Sequence, residues 1–277
     1  MGRFAHLVLT RFNVPDPGMP RDKQGRPVRD GAWLAERWRL FETFCLPSMA
    51  AQTCRAFRWL VFFDQATPPA DRARAQACAE RAAFDPVFVN EMPECVPEVR
   101  RRVDAHVDVL LTTRLDNDDA VAREFIAVVQ AAARDRDLAW LNPPQGYFYA
   151  RGSVYAARDE ASPFVSLAER RAHAPWRTVW SAAHQDLAAS AGLVQLEAGP
   201  LWLRVIHGRN VSDRDPAGLA PGWRARLSRA ARGALASLGL ARPPERAHGF
   251  TCTRTRLALA DLTDRFALDP AAGGAGV

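Results

Sequence analysis

Lysine is almost missing from this chain. Of its 37 basic side chains only Lys23 is a lysine, and the rest are arginine. That excludes a Gly-Lys-Ser/Thr phosphate loop, and it excludes a Schiff-base lysine anywhere but position 23. Phosphate recognition is left to arginine, backbone N–H groups and a metal ion. No apolar run approaches the ~18 residues that a membrane-spanning helix needs. The five cysteines (Cys45, Cys54, Cys78, Cys95 and Cys252) are odd in number, scattered and without C-x-x-C spacing. This argues against structural zinc and a disulfide framework, and it fits free buried thiols in a reducing compartment. The start, MGRFAHLVLTRFNV, has too short an apolar core for a signal peptide and is broken by Arg11 and Asn13. A cytoplasmic location is the expectation.

What is present is an ordinary globular composition, 48% apolar and 25% charged, with a net charge of +6. The arginines are spread rather than striped and no nucleic-acid motif accompanies them, so no nucleic-acid partner is expected. Short apolar runs alternate with helical periods. His6–Phe12, Phe57–Asp64, Val87–Val89 and Val107–Leu115 read as strands. Ala32–Gln52, Pro69–Ala83 and Val121–Arg134 read as helices. Along the first helix, Leu34, Trp38, Phe41, Phe44, Cys45 and Met49 form one apolar face. This order predicts an α/β fold with a mainly parallel central sheet flanked by helices, followed by a small β-ribbon over 138–157. Aromatics crowd that ribbon, and Gly152 could let a ligand approach the backbone closely there.

In such sheets ligands sit beyond the carboxyl ends of the strands. Arg11 and Asn13 end the first strand and are placed to meet a base or ribose; an ordinary ion pair is the competing reading for Arg11. The most chemically loaded end is that of Val107–Asp119, where TRLDNDDA follows a β-branched strand. Hard oxygen ligands crowded there suit Mg²⁺ or Mn²⁺ holding a diphosphate. Asp116 and Asp118, two apart, share a side of an extended chain. Alternatively, Asp118 or Asp119 simply caps the helix expected from Val121. A later strand, Leu201–Ile206, ends in His207, a plausible third ligand, with Arg209 and Asn210 able to hold diphosphate oxygens. Asp116, Asp118 and His207 are thus expected together at one sheet edge. The carboxylates should face a cleft, so that Asp→Asn changes leave the fold intact. Pro221–Leu240 has apolar Trp223, Leu227, Ala231, Leu235 and Leu238 opposed by arginines. Such a helix could rest on an anionic membrane surface or pack on the rest of the chain.

RFN, LFETFCLPSMAAQ, FRWLVFFD, TRLDNDDA and WLRVIHGRNVS, taken in order, resemble the family of putative rhamnosyl transferases over roughly residues 4–215, and TRLDNDDA resembles the D-x-D element of GT-A-fold glycosyltransferases. The resemblance implies a GT-A-like, Rossmann-like domain at 1–215. Beyond it a helical extension is expected at 216–269 and a disordered tail of small residues at 270–277. It also implies a transferase that moves a sugar, with rhamnose as the candidate, from a nucleotide-diphosphate sugar to a saccharide or lipid-linked acceptor, with Mn²⁺ or Mg²⁺. Arg114 and Asp116 belong to the donor-binding element, and Asp64 to the strand that lies near the nucleotide. The GT-A pattern places a general base downstream of the metal strand, where Trp176–Leu187 offers Asp186 and His184. The late histidine of GT-A enzymes matches His207. An Asp-nucleophile phosphohydrolase also carries D-x-D after a strand, but it wants Thr or Val where Ala120 stands and a downstream lysine that is missing. A basic nucleic-acid-binding domain is the non-enzymatic alternative.

Overall fold

The computed structural model describes residues 3–16, 30–183, 186–187, 192–207 and 250–273. Strand and helix alternate from the start: β1 (Arg3–Arg11), α1 (Gly31–Leu40), α2 (Leu46–Ala50), β2 (Arg58–Asp64), α3 (Pro69–Ala82), β3 (Phe84–Val89), α4 (Met92–Arg102) and β4 (Val107–Arg114). After these come β5 (Ala120–Val121), α5 (Phe125–Ala133), β6 (Leu138–Asn142), β7 (Gln145–Ala150), β8 (Ser153–Asp159), β9 (Ser166–Arg170), β10 (Leu193–Gln195), β11 (Trp202–Ile206), β12 (Phe250–Arg254) and a short α6 (Thr263–Phe266). The main sheet runs β10-β6-β9-β4-β1-β2-β3. The pairs β4-β1, β1-β2 and β2-β3 are parallel, while β9 is antiparallel to both β4 and β6. This is the mainly parallel central sheet of an α/β fold that the order of strands and helices predicts.

Alternation along the strands sends side chains into two cores. On the first face Val8, Val61, Phe63 and Leu111 pack against Trp38, Phe41, Phe44 and Met49 of the first helical run. On the second, Leu7, Leu9, Leu60, Phe62 and Leu110 meet Cys95 and Val99 of α4. The apolar face read from the sequence is therefore core: Leu34, Trp38, Phe41, Phe44, Cys45 and Met49 are all buried. Asp30 caps α1 by accepting from the Trp33 N–H at 2.7 Å. A π-helical turn, Phe41–Cys45, joins α1 to α2. His6, buried inside the sheet, has a partner at each ring nitrogen. His6 Nε2 meets Thr113 Oγ1 at 2.8 Å and its Nδ1 meets Gln130, while burial pushes its pKa down to about 3.

The helix expected from Val121 begins four residues later. Ala120 and Val121 pair instead with Leu203 and Trp202, and Gln52 takes the Ala122 carbonyl and the Ile126 N–H. The expected ribbon also divides. β6 enters the main sheet, while β7 and β8 join a second sheet of order β12-β8-β7-β11-β5. Its packing turns on Trp202, stacked on Phe164 at 5.2 Å between ring centroids and donating to the Pro143 carbonyl. A Cβ on Gly146 would lie 2.0 Å from that indole, so only glycine fits. Gly152 has a different part from the one expected. With Arg151 (φ 49°) it forms the left-handed turn between β7 and β8 (Gly152 φ 71°), where a two-residue hairpin needs positive φ. The ribbon aromatics Phe148, Tyr149 and Tyr155 are buried in the core.

The described end of the expected helical extension contributes a strand, β12, paired with β8, and then α6, whose Phe266 is fully buried against Tyr147. Residues 216–249, including the 221–240 helix, lie outside the described residues. Of the tail expected to be disordered, Pro270–Gly273 form a 3-10 turn, preceded by a bond from the Asp269 N–H to the Thr43 carbonyl. No helix among the described residues is long and apolar enough to cross a membrane.

Candidate functional site

Strands β1, β2 and β4 end side by side, and the chain leaving β4 folds into a tight acidic turn. The Leu115 N–H bonds the Leu9 carbonyl, and the Asp119 N–H returns to the Asp116 carbonyl. Asn117 ties this turn to β1, donating from Nδ2 to the carbonyls of Arg11 and Phe12 at 2.8 Å each. Asp119 is buried and accepts from the Val205 N–H at 2.9 Å, so it anchors β11 and caps no helix. That anchoring carries β11 past the turn and delivers His207, whose Nε2 lies 2.9 Å from Asp118 Oδ2.

Asp118 is not open to a cleft. It is 8% exposed, and the same Oδ2 also accepts from Arg37 Nη1 at 2.5 Å. Arg37 reaches in from α1, itself 5% exposed, with its guanidinium over the Trp33 ring and Nη1 at 3.3 Å from Asn117 Oδ1. Burial on its own would raise the Asp118 pKa. The charge of Arg37, with the hydrogen bond and charge of His207, outweighs it and holds the carboxyl far below the usual range. Asp116 is more open, and Arg114 grips it from Nε and Nη2 at 2.9–3.2 Å. Burial and the neighbouring Asp118 push its pKa up, but the charges of Arg114 and Arg204 leave it lowered.

Three of these neighbours, Arg37, Glu36 and Arg204, have no role among the expected site residues. Arg37 lies three residues after Leu34 and four before Phe41, inside the apolar stripe of α1. A charge at a core position was the available signal. Glu36, bound to Arg39, feels the charges of His207 and Arg37. Arg204 sits on β11 above Phe148 and within electrostatic reach of Asp116.

The other expected residues are distributed as follows. Arg11 pairs with Asp16 at 2.7 Å. Asn13 is buried and joins the ends of β1 and β2, accepting from the Asp64 N–H and donating to Thr67 Oγ1. The Asp64 carboxylate accepts from the Ala66 N–H, a local turn bond. His184, Arg209 and Asn210 lie outside the described residues. Asp186 is exposed on a short turn, while the adjacent Leu187 is buried in the second-face core. The segment leading to it crosses that face of the sheet. The buried Glu169 carboxylate accepts from the N–H groups of Arg177 and Thr178, and Thr112 Oγ1 accepts from Val179. Thr178 has φ 71°, a strained value for a β-branched residue, and Trp180 meets Phe62 edge-on.

For a divalent ion, the donors divide. No group of three His, Cys, Asp or Glu side chains among the described residues is arranged to hold one. Asp118 Oδ2 and His207 Nε2, at 2.9 Å, have the spacing of adjacent ligands on one ion, about 3 Å for bonds of about 2.1 Å. Of the three expected ligands, Asp118 and His207 are in direct contact, while Asp116, two residues before Asp118, is paired with Arg114 as Asp118 is with Arg37. A two-ligand set suits an ion that takes its other ligands from diphosphate and water.

The family model described as "Putative rhamnosyl transferase" matches residues 1–219. No curated protein matches the sequence. Among solved structures the chain is similar to TarS of S. aureus, at 11% identity and TM-score 0.42 over 74% of this chain and 37% of that one. It is also similar to TarS 1–349 in complex with UDP (10%, TM-score 0.43, 74% and 60%). A third is described as a putative nucleotide-diphospho-sugar transferase from Desulfovibrio desulfuricans G20 (11%, TM-score 0.37, 76% and 84%). The chain spans less than two thirds of either TarS chain.

Proposed function

Since the chain belongs to the putative rhamnosyl transferase family, we propose that it moves a sugar, rhamnose first among them, from a nucleoside-diphosphate donor to a hydroxyl of a saccharide or lipid-linked acceptor, with Mn²⁺ or Mg²⁺ held by Asp118 and His207. The observation that carries this reading is the Asp118–His207 pair at the carboxyl edge of the sheet, with Arg37, Arg114 and Arg204 around it. A diphosphate leaving group needs concentrated positive charge, and this edge collects it without lysine. The ion, when bound, neutralises charge on the departing diphosphate. In the transfer the acceptor oxygen forms a bond to the sugar C1 as the C1–O bond to the diphosphate breaks. Asp186, or His184, takes the acceptor proton, and a nucleoside diphosphate leaves. Work in the cytoplasm, with the 221–240 segment against a membrane surface, completes the proposal.

The test is a panel of UDP-, dTDP- and GDP-sugars, dTDP-rhamnose included, incubated with Mn²⁺ or Mg²⁺ with and without saccharide acceptors. Acceptor-dependent release of one nucleoside diphosphate, lost in chelator, is expected. Hydrolysis of phosphate monoesters, with no nucleotide-sugar bound or consumed, would replace this reading with the Asp-nucleophile phosphohydrolase.

A further inference from the structure

Arg37 is buried at the carboxyl edge and bonded to a protein carboxylate. A guanidinium 5% exposed is costly to bury, and here it is spent on the carboxylate that, on the reading above, ligates the ion. The two nitrogens on Asp118 Oδ2, Arg37 Nη1 at 2.5 Å and His207 Nε2 at 2.9 Å, converge on one oxygen. A divalent ion arriving there meets a permanent positive charge about one hydrogen bond away and a carboxylate already neutralised. Around it the carboxylates of Asp116, Glu36 and Asp119 are likewise engaged, by Arg114, Arg39 and the Val205 N–H. Among the described residues, then, each of these carboxylates already has a partner before any ligand enters. A nucleoside diphosphate changes this, because it brings the negative charge that the ion and Arg37 can share.

We propose that Arg37 is a positioning residue that makes metal binding conditional on the nucleotide: it holds Asp118 in the free protein, disfavours the bare ion, and admits the ion together with a diphosphate. This rests on the proposed metal role of Asp118 and His207. The physical content is a coupling free energy, so the ion and the nucleotide must strengthen each other's binding by the same factor. Neutralising Arg37 removes the competitor, tightens binding of the bare ion and reduces that factor.

The experiment measures Mn²⁺ affinity of the full chain by electron paramagnetic resonance, alone and with saturating UDP, dTDP or GDP. It uses wild type, Arg37→Met, Arg37→Gln and Arg37→Lys, each checked for cooperative melting. For wild type, the best nucleotide should tighten Mn²⁺ binding at least ~10-fold, a coupling within the usual allosteric range. Arg37→Met or Arg37→Gln, whichever folds, should bind bare Mn²⁺ several-fold more tightly than wild type and show a smaller nucleotide effect. Arg37→Lys, which keeps the charge, should stay near wild type. Neutral variants that bind bare Mn²⁺ no more tightly than wild type, while Mn²⁺ and nucleotide still couple, overturn the role of Arg37 alone. Failure of wild type to bind Mn²⁺ even with nucleotide overturns the metal reading together with it.

Discussion

The two faces of the main sheet reach the same carboxyl edge with different kinds of construction. On the first face the acidic turn is fixed by side chains: Arg37 and His207 on Asp118, Arg114 on Asp116, and Asn117 on the β1 backbone. On the second face the segment toward Asp186 is fixed through its main chain, by Glu169 and Thr112, and its candidate base stays in solvent. The first arrangement presets charges and makes the fold depend on them. The second presets a path and leaves the reactive group free of structural duty. Substitutions on the two faces should therefore separate stability from turnover, and they rank by what each takes from the fold.

Asp118→Asn should cost the most. Its loss leaves the buried Arg37 charge without its carboxylate, and breaking a buried ion pair from one side costs about 3–5 kcal/mol. This corrects the expectation of a cleft-facing carboxylate that could be changed harmlessly. Urea unfolding should show the loss; a midpoint equal to wild type would mean that Arg37 finds another anion. The same pair predicts an acid limit. Because the folded-state pKa of Asp118 is depressed, its contribution is complete above the unfolded value of about 4 and is lost as pH falls below it. Wild type should weaken below about pH 4, and Asp118→Asn should weaken less over that window.

Glu169→Ala comes next. Glu169 is fully buried, and its removal strands the N–H groups of Arg177 and Thr178, costing about 2 kcal/mol. The strained Thr178 backbone then loses its restraint. On the proposed reading the donor binds on the other face, so its affinity should hold while turnover falls. Equal losses of donor affinity and turnover would show that the faces are not independent. Asp116→Asn should be milder for the fold, under about 1 kcal/mol, because its pair with Arg114 is partly in water. A thermal melt that places it level with Asp118→Asn would erase the distinction between the two carboxylates.

How much of this could be read beforehand follows the same division. Strand ends were legible because β-branched runs stop abruptly in polar residues, and the approach of His207 to Asp118 follows from both ending strands of this fold. The start of α5 was not legible. Val121 fits a helical period, and only the long-range pairing with Trp202 withdraws it. Nor was the grip on Asp118, since sequence periodicity assigns Arg37 to a face without saying which buried anion it meets there. Gly152 was misread for a similar reason: a glycine admits several uses, and the hairpin decides among them.

Asp186→Ala should disturb the fold least. The side chain is exposed, its own backbone N–H bonds the Ala183 carbonyl regardless of the side chain, and the burial of Leu187 holds the turn down. Exposed changes of this kind stay within about 0.5 kcal/mol. Asp116 and Asp118 are engaged by arginine and histidine and Asp119 by a backbone N–H, so none is placed to take a proton from an acceptor. If Asp186 takes it, turnover falls about 10²–10⁴-fold while Mn²⁺ and donor affinity remain those of wild type. Single-turnover kinetics with the best donor and acceptor, beside a melting curve, measure both. Full turnover would move the base to His184, and a lost donor affinity would place Asp186 on the donor side of the edge.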